Sequence, residues 1–403
     1  MSQRRVYPLT LVCAAGLLVA LGVAVAATRH VPVAASSPLH PTGSWRGALI
    51  GGLGGAFAAY IVALVLALRG AVSRTVAAGV GCVAQLLPLI SPLLLSTDAY
   101  TYWAYGRVAA HYHANPYAVP PSAHPADPSY AVMGGNWHHS TTIYGPLFTW
   151  LSRFVGSTSS AHTAQLAFRV VAAASMVAIV LLLWLARAPA VAIVLAGWSP
   201  VFALHFAGGG HNDALMLLFV VGALLAGPKR PWLASCLWVA AVAVKWVALV
   251  LLALDFVAGG VRSRRSRLTR LIVAGTAGIA FTSAAYGTAW RSAFTGLSEQ
   301  SRRTGSLGAA RWLHELGLHH REVVVLLDLL LLAFLAALVL LAVRRNSRHL
   351  SLAGTGVAAL QGWLNPWYAI WGGATVAFEE AVGLAVVANV ALGAIVLRDA
   401  LPL

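Results

Sequence analysis

The chain has 403 residues, of which 59% are hydrophobic and only 9% are charged, and its formal net charge is +16. Soluble globular proteins carry about 25% charged residues, so this composition excludes a soluble protein and indicates an integral membrane protein. The positive charge does not indicate nucleic-acid binding, because the arginines lie in short clusters between apolar runs, as in the loops of membrane proteins. The three cysteines lie inside apolar runs, so neither a disulfide framework nor a thiolate metal site is expected.

Apolar runs along the whole chain predict an all-α, polytopic membrane protein. A membrane span needs about 20 apolar residues. The predicted spans in the first part of the chain are 9–27, 47–68, 76–95, 164–185, 189–206 and 214–226. The first of them could also be a signal peptide, but it is longer than the usual apolar core of about 7–15 residues. We expect about 10–13 transmembrane or half-membrane helices in a single membrane domain over residues 1–403.

The segment 232–260 predicts a hairpin of two short helices with Lys245 at its apex. One continuous helix would place the arginine cluster at 262–270 on the outer side, against the positive-inside rule. Broken helices are tolerated at membrane depth where they line a cavity in the protein. Spans at 271–290 and 323–343 follow, and residues 350–397 make two or three further crossings.

Two long loops are expected on the non-cytoplasmic side. They cover residues 96–163 and 291–321, and the basic residues are denser in the shorter loops of the other side, as the positive-inside rule requires for the cytoplasmic face. Apolar and aromatic residues recur at helical spacing over 96–108, which predicts a helix on the membrane surface. A re-entrant piece is predicted at 147–155.

Asp98 is the first candidate for chemistry. It follows the apolar run that ends at Leu95, where a membrane helix meets water, and it is one of only eleven acidic residues. An acid there could simply end a helix, but ionisable residues at membrane segments are functional candidates by default. A carboxylate can remove the proton from a sugar hydroxyl, and burial can tune its pKa. We therefore predict that Asp98 is a general base.

His211, Asn212 and Asp213 form a polar triplet that follows three glycines. The glycines would let the backbone approach a ligand closely or turn tightly. Asn212 or Asp213 could cap the helix that follows, and the triplet could also hydrogen-bond sugar or acceptor hydroxyls. The two roles are compatible, and the sequence does not decide between them.

Three cationic residues are candidates for binding the phosphate group of a phosphate-linked sugar donor. Lys245 is a lone cation in an apolar run; it could extend to the membrane surface, or lie inside the protein with an anionic partner such as a lipid phosphate. We favour the phosphate role. Arg302 and Arg303 lie in the second long loop, where an arginine could meet lipid headgroups or hold a phosphate in a bidentate manner. The sequence does not discriminate between these two arginines.

Five further residues are predicted to contact sugar or acceptor. Tyr102 and Arg107 follow Asp98 on the same predicted helix, Tyr144 lies in a Tyr-Gly-Pro turn, and Trp367 and Tyr368 lie at a proline break in the last apolar segment. Tryptophan and tyrosine are ordinary at membrane interfaces, but aromatic residues beside a broken helix often border a pocket. The histidines of the first long loop lack the spacing of a zinc site, and carboxylates are too few there for a hard cation, so no metal is expected.

The order of these motifs resembles a known enzyme family. The motifs are DAYTYWAYG from Asp98 to Gly106, NPY at 115–117, YGPLF at 144–148, Ser199-Pro200, GHND at 210–213, Lys245, and PWYAIW at 366–371. Each motif alone has low specificity, but their order is more specific. It resembles the actinobacterial polyprenol-phosphate-mannose-dependent α-1,6-mannosyltransferases, which have the C-type glycosyltransferase (GT-C) fold and help to build the mannan backbone of lipomannan and lipoarabinomannan.

This resemblance implies a polyprenyl-phosphate-linked mannose donor, a glycolipid or mannan acceptor, and transfer with inversion on the extracytoplasmic side of the cell membrane. In such enzymes an aspartate in the first large outer loop acts as the base, and the matching position is Asp98. The lipid phosphate leaves with added charge, which Lys245 and Arg302 or Arg303 could stabilise. No cofactor and no nucleotide sugar is implied, in agreement with the lack of a Rossmann-like glycine loop and of a D-x-D motif in the sequence.

Other functions share some of these features. A transporter or flippase for a lipid-linked sugar would also have broken helices, a membrane lysine and aromatic residues, but it would not need a large outer loop that begins with an acid. A transferase of the same fold could use another polyprenyl-linked sugar, such as arabinose or glucose. A non-catalytic scaffold that binds glycolipid ranks below both.

Overall fold

The computed structural model describes residues 8–30, 44–227, 229–259, 261–345 and 347–398, and within these ranges every regular element is helical. The helices are α1 (Pro8–Ala27), α2 (Ser44–Leu68), α3 (Arg74–Leu86), α4 (Asp98–Ala110), α5 (Pro128–Val132), α6 (Pro146–Val155), α7 (Ala161–Leu185), α8 (Ala190–Gly197), α9 (Pro200–Ala203), α10 (Asp213–Ala226), α11 (Pro231–Val244), α12 (Ala248–Ala258), α13 (Val261–Tyr286), α14 (Ser292–Ser301), α15 (Gly308–Glu315), α16 (His320–Arg345), α17 (Leu350–Leu360), α18 (Ile370–Gly373) and α19 (Val382–Leu397). The side chains of residues 261–263, at the start of the predicted arginine cluster, lie outside the described part. The all-α fold is confirmed.

The lengths and composition of the helices confirm a polytopic membrane protein. Five helices in the described ranges are long and apolar enough to cross a membrane, namely α1, α2, α7, α13 and α16. The pair formed by α8 and Pro200–Gly208 is bent by 42° and could make a sixth span. Six shorter apolar helices, from 10 to 17 residues long, accompany them. The number of these apolar helices that enter the membrane as full or half spans stays a prediction.

The third predicted span, 76–95, ends earlier than expected. α3 ends at Leu86, a 3-10 turn continues to Ile90, and the chain then runs irregularly to Asp98. Pro88 and Pro92 explain the difference, because proline has no N–H to continue a helix. Leu95 adopts a positive φ of 61°, so the backbone turns sharply just before Asp98.

α4 forms where a helix was predicted, but it lies inside the protein. Every residue from Thr101 to Ala109 is buried, and α6 and α7 pack against the helix. A helix on the membrane surface would keep one face polar and exposed. The large side chains of Tyr102, Trp103 and Tyr105 instead point in several directions around α4, and all three are buried. The sequence predicts a helix on the membrane surface over residues 96–108; the helix in this segment is instead buried in the protein.

α4 and α6 meet at a close approach of two glycines. A Cβ atom on Gly106 would collide with the carbonyl oxygen of Ser152, and a Cβ atom on Gly156 would collide with the backbone of Gly106. Glycine is therefore required at 106 for the backbones to pack at this distance. This packing holds the helix that begins with Asp98.

The segment 231–258 forms the predicted hairpin. α11 ends at Val244 and α12 begins at Ala248, so Lys245 lies in the break. Pro231 at the start of α11 and Asp255 near the end of α12 line one pocket, so the chain reverses direction between the two helices.

The apex of the hairpin docks on the loop that precedes α6. Gly145 N donates a hydrogen bond of 3.1 Å to Val244 O, and Trp246 Nε1 donates one of 3.0 Å to Ile143 O. A Cβ atom on Gly145 would collide with the carbonyl oxygen of Ala243. The Tyr-Gly-Pro motif therefore needs glycine at position 145, because a side chain there would prevent the apex from docking.

We predict that Gly106→Ala lowers the stability of the protein by about 1–3 kcal/mol, because the added methyl group overpacks the contact between α4 and α6. Thermal unfolding of the purified protein in detergent measures the effect. Gly79→Ala on α3 is the matched control, since a Cβ atom there has no neighbour within 4 Å, and it should change stability by less than about 1 kcal/mol. Equal unfolding temperatures for the two variants would contradict the role of Gly106.

Candidate active site

A cavity of about 410 Å³ lies between the first long loop, the apex of the hairpin, α14, α16 and the C-terminal segment that contains α18. Asp98 and Lys245 both line it. Tyr144, Trp367 and Tyr368 line it as well. Five of the twelve residues predicted from the sequence as site residues thus reach one cavity, although they are far apart along the chain.

Asp98 faces the cavity with part of its carboxylate, and 17% of its side chain is exposed. Its Oδ2 lies 3.3 Å from Nδ1 of His211 and accepts a hydrogen bond of 3.4 Å from the hydroxyl of Tyr102. Burial raises the pKa of the Asp98 carboxyl, but the contact with His211 and the charge of Lys245 lower it more, so the pKa lies below its ordinary value. The carboxylate is therefore ionised at neutral pH and able to accept a proton.

His211 contacts Asp98 on the side away from the cavity. Its imidazole is completely buried. It stacks on the indole of Trp367, with ring centroids 3.6 Å apart and an interplanar angle of 13°. The ring thus links the carboxylate of Asp98 to an aromatic wall of the cavity.

Lys245 is held by a buried carboxylate. Its Nζ lies 2.8 Å from both Oδ1 and Oδ2 of Asp213, which has no exposed surface. Trp371 Nε1 donates a hydrogen bond of 2.6 Å to Asp213 Oδ1. The ammonium also lies 4.7 Å from the ring centroid of Tyr368, within the range of a cation–π interaction. The sequence predicted an anionic partner for Lys245, and the structure identifies Asp213 as the resident one.

The triplet at 211–213 therefore lies behind the cavity and does not line it. Asn212 Oδ1 is 3.5 Å from Lys245 Nζ, and the side chain of Asn212 does not cap α10. All three side chains are buried. None of the three is a lining residue, and the predicted binding of sugar or acceptor by His211, Asn212 and Asp213 stays a prediction. Their contacts hold Asp98 and Lys245 in place.

The other predicted residues of the long loop divide into two groups. Tyr144 lines the cavity, and the ring of Tyr102 packs edge-on against it, with centroids 4.9 Å apart. Arg107 lies away from the cavity. Its Nε lies 2.7 Å from Oδ2 of Asp127 in a buried ion pair, and its NH1 donates a hydrogen bond to Thr158 O. The contacts of Arg107 thus hold the loop together.

The two arginines of the second long loop differ in position. The guanidinium of Arg303 lies 5.3 Å from the ring of Trp363 and 5.9 Å from the ring of Trp137, and both tryptophans line the cavity. Neither arginine lines the cavity itself, but Arg303 is half-buried beside these tryptophans, whereas Arg302 is exposed. Arg303 is therefore the arginine at the rim of the cavity.

Two charged residues that sequence analysis passed over also belong to this region. Arg169 on α7 is buried and donates hydrogen bonds to Pro88 O and Ala207 O, so it ties the chain before Asp98 to the chain before His211. Asp328 on α16 lines the cavity. Each is a lone charge within an apolar run, and that isolation was a signal that could have identified both.

The fold and the site define a helical membrane protein with a carboxylate and an ammonium facing one cavity. Within the described residues, no group of three or more His, Cys, Asp or Glu side chains is placed to hold a metal ion. The family model described as the N-terminal domain of alpha-(1->6)-mannopyranosyltransferase matches residues 9–259. The chain therefore belongs to this alpha-(1->6)-mannopyranosyltransferase family, which confirms the resemblance found in the sequence.

Curated relatives agree with the family. The chain is 27% identical over 185 residues to alpha-(1->6)-mannopyranosyltransferase A of Corynebacterium glutamicum, a match that covers 43% of this chain and 36% of the relative. It is 31% identical over 153 residues to a probable alpha-(1->6)-mannopyranosyltransferase of Mycolicibacterium smegmatis, covering 35% and 26%. It is 32% identical over 158 residues to an alpha-(1->6)-mannopyranosyltransferase of Mycobacterium tuberculosis, covering 35% and 25%. The chain thus matches 25–36% of the length of these relatives. No solved structure matches the chain significantly.

The ion pair of the long loop has a definite dependence on pH. Burial raises the pKa of the Asp127 carboxyl, but hydrogen bonds from Ser129 and Arg107 lower it more, so the pKa lies below its ordinary value. A carboxyl whose pKa is lowered by folding stabilises the protein above its unfolded pKa of about 3.9. That contribution is lost as the pH falls through the folded pKa.

We predict that Asp127→Asn destabilises the protein by about 3–5 kcal/mol at neutral pH, because Arg107 is left buried without its partner. The difference from the wild type should shrink as the pH falls below about 3.9. Unfolding in detergent over a range of pH measures both effects. Glu299→Gln, at an exposed position of α14, is the control and should leave stability unchanged. A difference that stays constant down to the lowest pH would contradict the assignment.

Proposed function

We propose that this protein is a membrane glycosyltransferase that moves a mannosyl residue from polyprenyl-phosphate-mannose to a glycolipid or mannan acceptor on the extracytoplasmic face of the cell membrane. The observation that carries this proposal is that the carboxylate of Asp98 and the ammonium of Lys245 line the same cavity. Membership of the alpha-(1->6)-mannopyranosyltransferase family supports mannose as the transferred sugar.

Asp98 is the general base in this reaction. The oxygen of the acceptor hydroxyl attacks the anomeric carbon of the donor while Asp98 takes the hydroxyl proton. The bond between the anomeric carbon and the phosphate oxygen breaks, and its electron pair leaves with the polyprenyl phosphate. A single displacement of this kind inverts the configuration at the anomeric carbon. The pKa of Asp98, below its ordinary value, keeps the base ionised before the reaction.

Lys245 stabilises the phosphate as it leaves. Preplaced positive charge lowers the barrier most where negative charge develops in the transition state. Asp213 keeps the ammonium charged and in position before the donor binds, and a phosphate oxygen would then share the ammonium with Asp213. Arg303 at the rim supplies a second positive charge, and we assign the phosphate role in the second long loop to it in preference to Arg302.

The aromatic residues of the cavity bind the sugar rings. Tyr144, Trp367 and Tyr368 provide flat surfaces beside the reacting groups. Their contact with the apolar faces of a sugar excludes water around the phosphate and strengthens the electrostatic interactions there.

The distribution of arginines supports an extracytoplasmic cavity. Arg267, Arg270 and Arg348 line a pocket at the opposite end of the hairpin from Lys245. Arginines concentrate on the cytoplasmic side of membrane proteins. The cavity of Asp98 and Lys245 then opens on the other side.

We predict that Asp98→Asn lowers mannosyl transfer by about 10²–10⁴-fold, the usual contribution of a general base. Binding of the donor should persist, because the change removes a charge without removing the side chain. Transfer of labelled mannose from polyprenyl-phosphate-mannose to a membrane glycolipid acceptor measures the rate. Glu299→Gln, an exposed acid of the second long loop, should transfer at the wild-type rate. Wild-type transfer by Asp98→Asn would exclude Asp98 as the base.

Lys245→Gln is predicted to lower the rate of transfer by about 10²–10³-fold, as expected for the loss of one group that stabilises transition-state charge. The single change also leaves Asp213 buried and unpaired, so folding must be controlled for. Lys245→Gln combined with Asp213→Asn removes both charges together and should fold better than the single variant. If the double variant transfers mannose at the wild-type rate, the ion pair is structural only and Lys245 does not act on the phosphate.

A further inference from the structure

A second pocket, of about 250 Å³, lies at the base of the hairpin. It is lined by Asp255 of α12, by Arg267 and Arg270 of α13, and by Arg348, which follows α16. A helix rises 1.5 Å per residue, so the seven residues of α12 from Ala248 to Asp255 place this pocket about 10 Å or more from the apex. It is thus separate from the cavity of Asp98.

The pocket has more positive charge than its own acid can balance. Asp255 is buried and pairs with Arg267 at 2.6 Å and with Arg348 at 3.2 Å. Arg270 lines the pocket without a carboxylate, and its Nε is buried with no hydrogen-bond partner among the described residues. The lining therefore carries three guanidinium groups and one carboxylate.

Among the described residues, Arg270 is the guanidinium of the lining that has no carboxylate partner. A buried guanidinium N–H without a partner costs free energy, and an anion in the pocket would remove that cost. The planar guanidinium matches the geometry of a phosphate, to which it can donate two parallel hydrogen bonds.

The position of the pocket favours a lipid as the source of the phosphate. Arg267 and Arg270 lie in the first two turns of the apolar span Arg264–Tyr286, which is the level of the lipid headgroups. Trp238 and Leu271 add an apolar part to the lining. A phospholipid could therefore place its headgroup on the arginines while its chains remain in the bilayer.

We propose that this pocket at the base of the hairpin binds a phosphate group, supplied by the headgroup of an anionic phospholipid. Neither the family match nor the reaction assigned to the first cavity requires such a site. The phosphate accepts hydrogen bonds from Arg270 and Arg348, and Arg267 remains paired with Asp255. Bound lipid would bridge α12, α13 and the chain after α16.

Binding of phosphatidylglycerol to the full-length protein in detergent tests this proposal, with phosphatidylcholine of the same chain length as the comparison lipid. Native mass spectrometry and the rise in unfolding temperature both report occupancy. We expect the wild type to bind phosphatidylglycerol in preference to phosphatidylcholine. Arg270→Gln should weaken the binding of phosphatidylglycerol by at least about tenfold, the loss of one charge-assisted hydrogen bond.

Arg265→Gln is the matched control, since it removes the same charge from an exposed position of the same helix, and it should bind as the wild type does. Arg348→Gln, whose side chain is 39% exposed, gives the same test if Arg270→Gln does not fold. If inorganic phosphate raises the unfolding temperature of the wild type but not of Arg270→Gln, while phosphatidylglycerol has no effect, the result would support a phosphate site whose ligand is soluble. The proposal would be overturned if the arginine variants bound phosphatidylglycerol and inorganic phosphate as well as the wild type does.

Discussion

The buried ion pair between Lys245 and Asp213 is the interaction on which the rest of the site depends. An unpaired ammonium inside the protein would cost several kcal/mol, so the apex of the hairpin can lie there only because Asp213 accepts the charge. Trp371 donates to the same carboxylate and brings in the C-terminal segment. The hydrogen bond from Gly145 N to Val244 O attaches the apex of the hairpin to the first long loop. One carboxylate thus joins three distant parts of the chain around a cavity.

The acid and the cation of the cavity are coupled through the segment that precedes α10. His211 contacts Asp98, and Asp213, two residues later, holds Lys245. A displacement of this short segment would therefore move both Asp98 and Lys245 at once. Arg169 restrains it by a hydrogen bond to Ala207 O, and the same guanidinium reaches Pro88 O in the segment that leads to Asp98. The separation of Asp98 and Lys245 is thus set by buried polar contacts.

Sequence analysis could predict the features that depend on local composition. Membrane spans follow from apolar length, and the break at Lys245 follows from the rule that keeps arginines on one side of the membrane. Asp98 stood out because an acid is rare in this chain. The partner of Lys245 could not be predicted, since a contact across 32 positions leaves no periodic pattern. For the same reason the burial of α4, and the choice between Arg302 and Arg303, required the packing of distant segments.

The cavity combines two regions of the chain that differ in their relation to the family. The matched region ends at residue 259 and contributes Asp98, Tyr144 and Lys245. The facing wall, with Trp363, Trp367 and other residues, comes entirely from the chain beyond that boundary. Trp371 of this wall donates to Asp213 and Trp367 stacks on His211, so a substitution in the wall would also disturb the residues that hold Lys245 and Asp98.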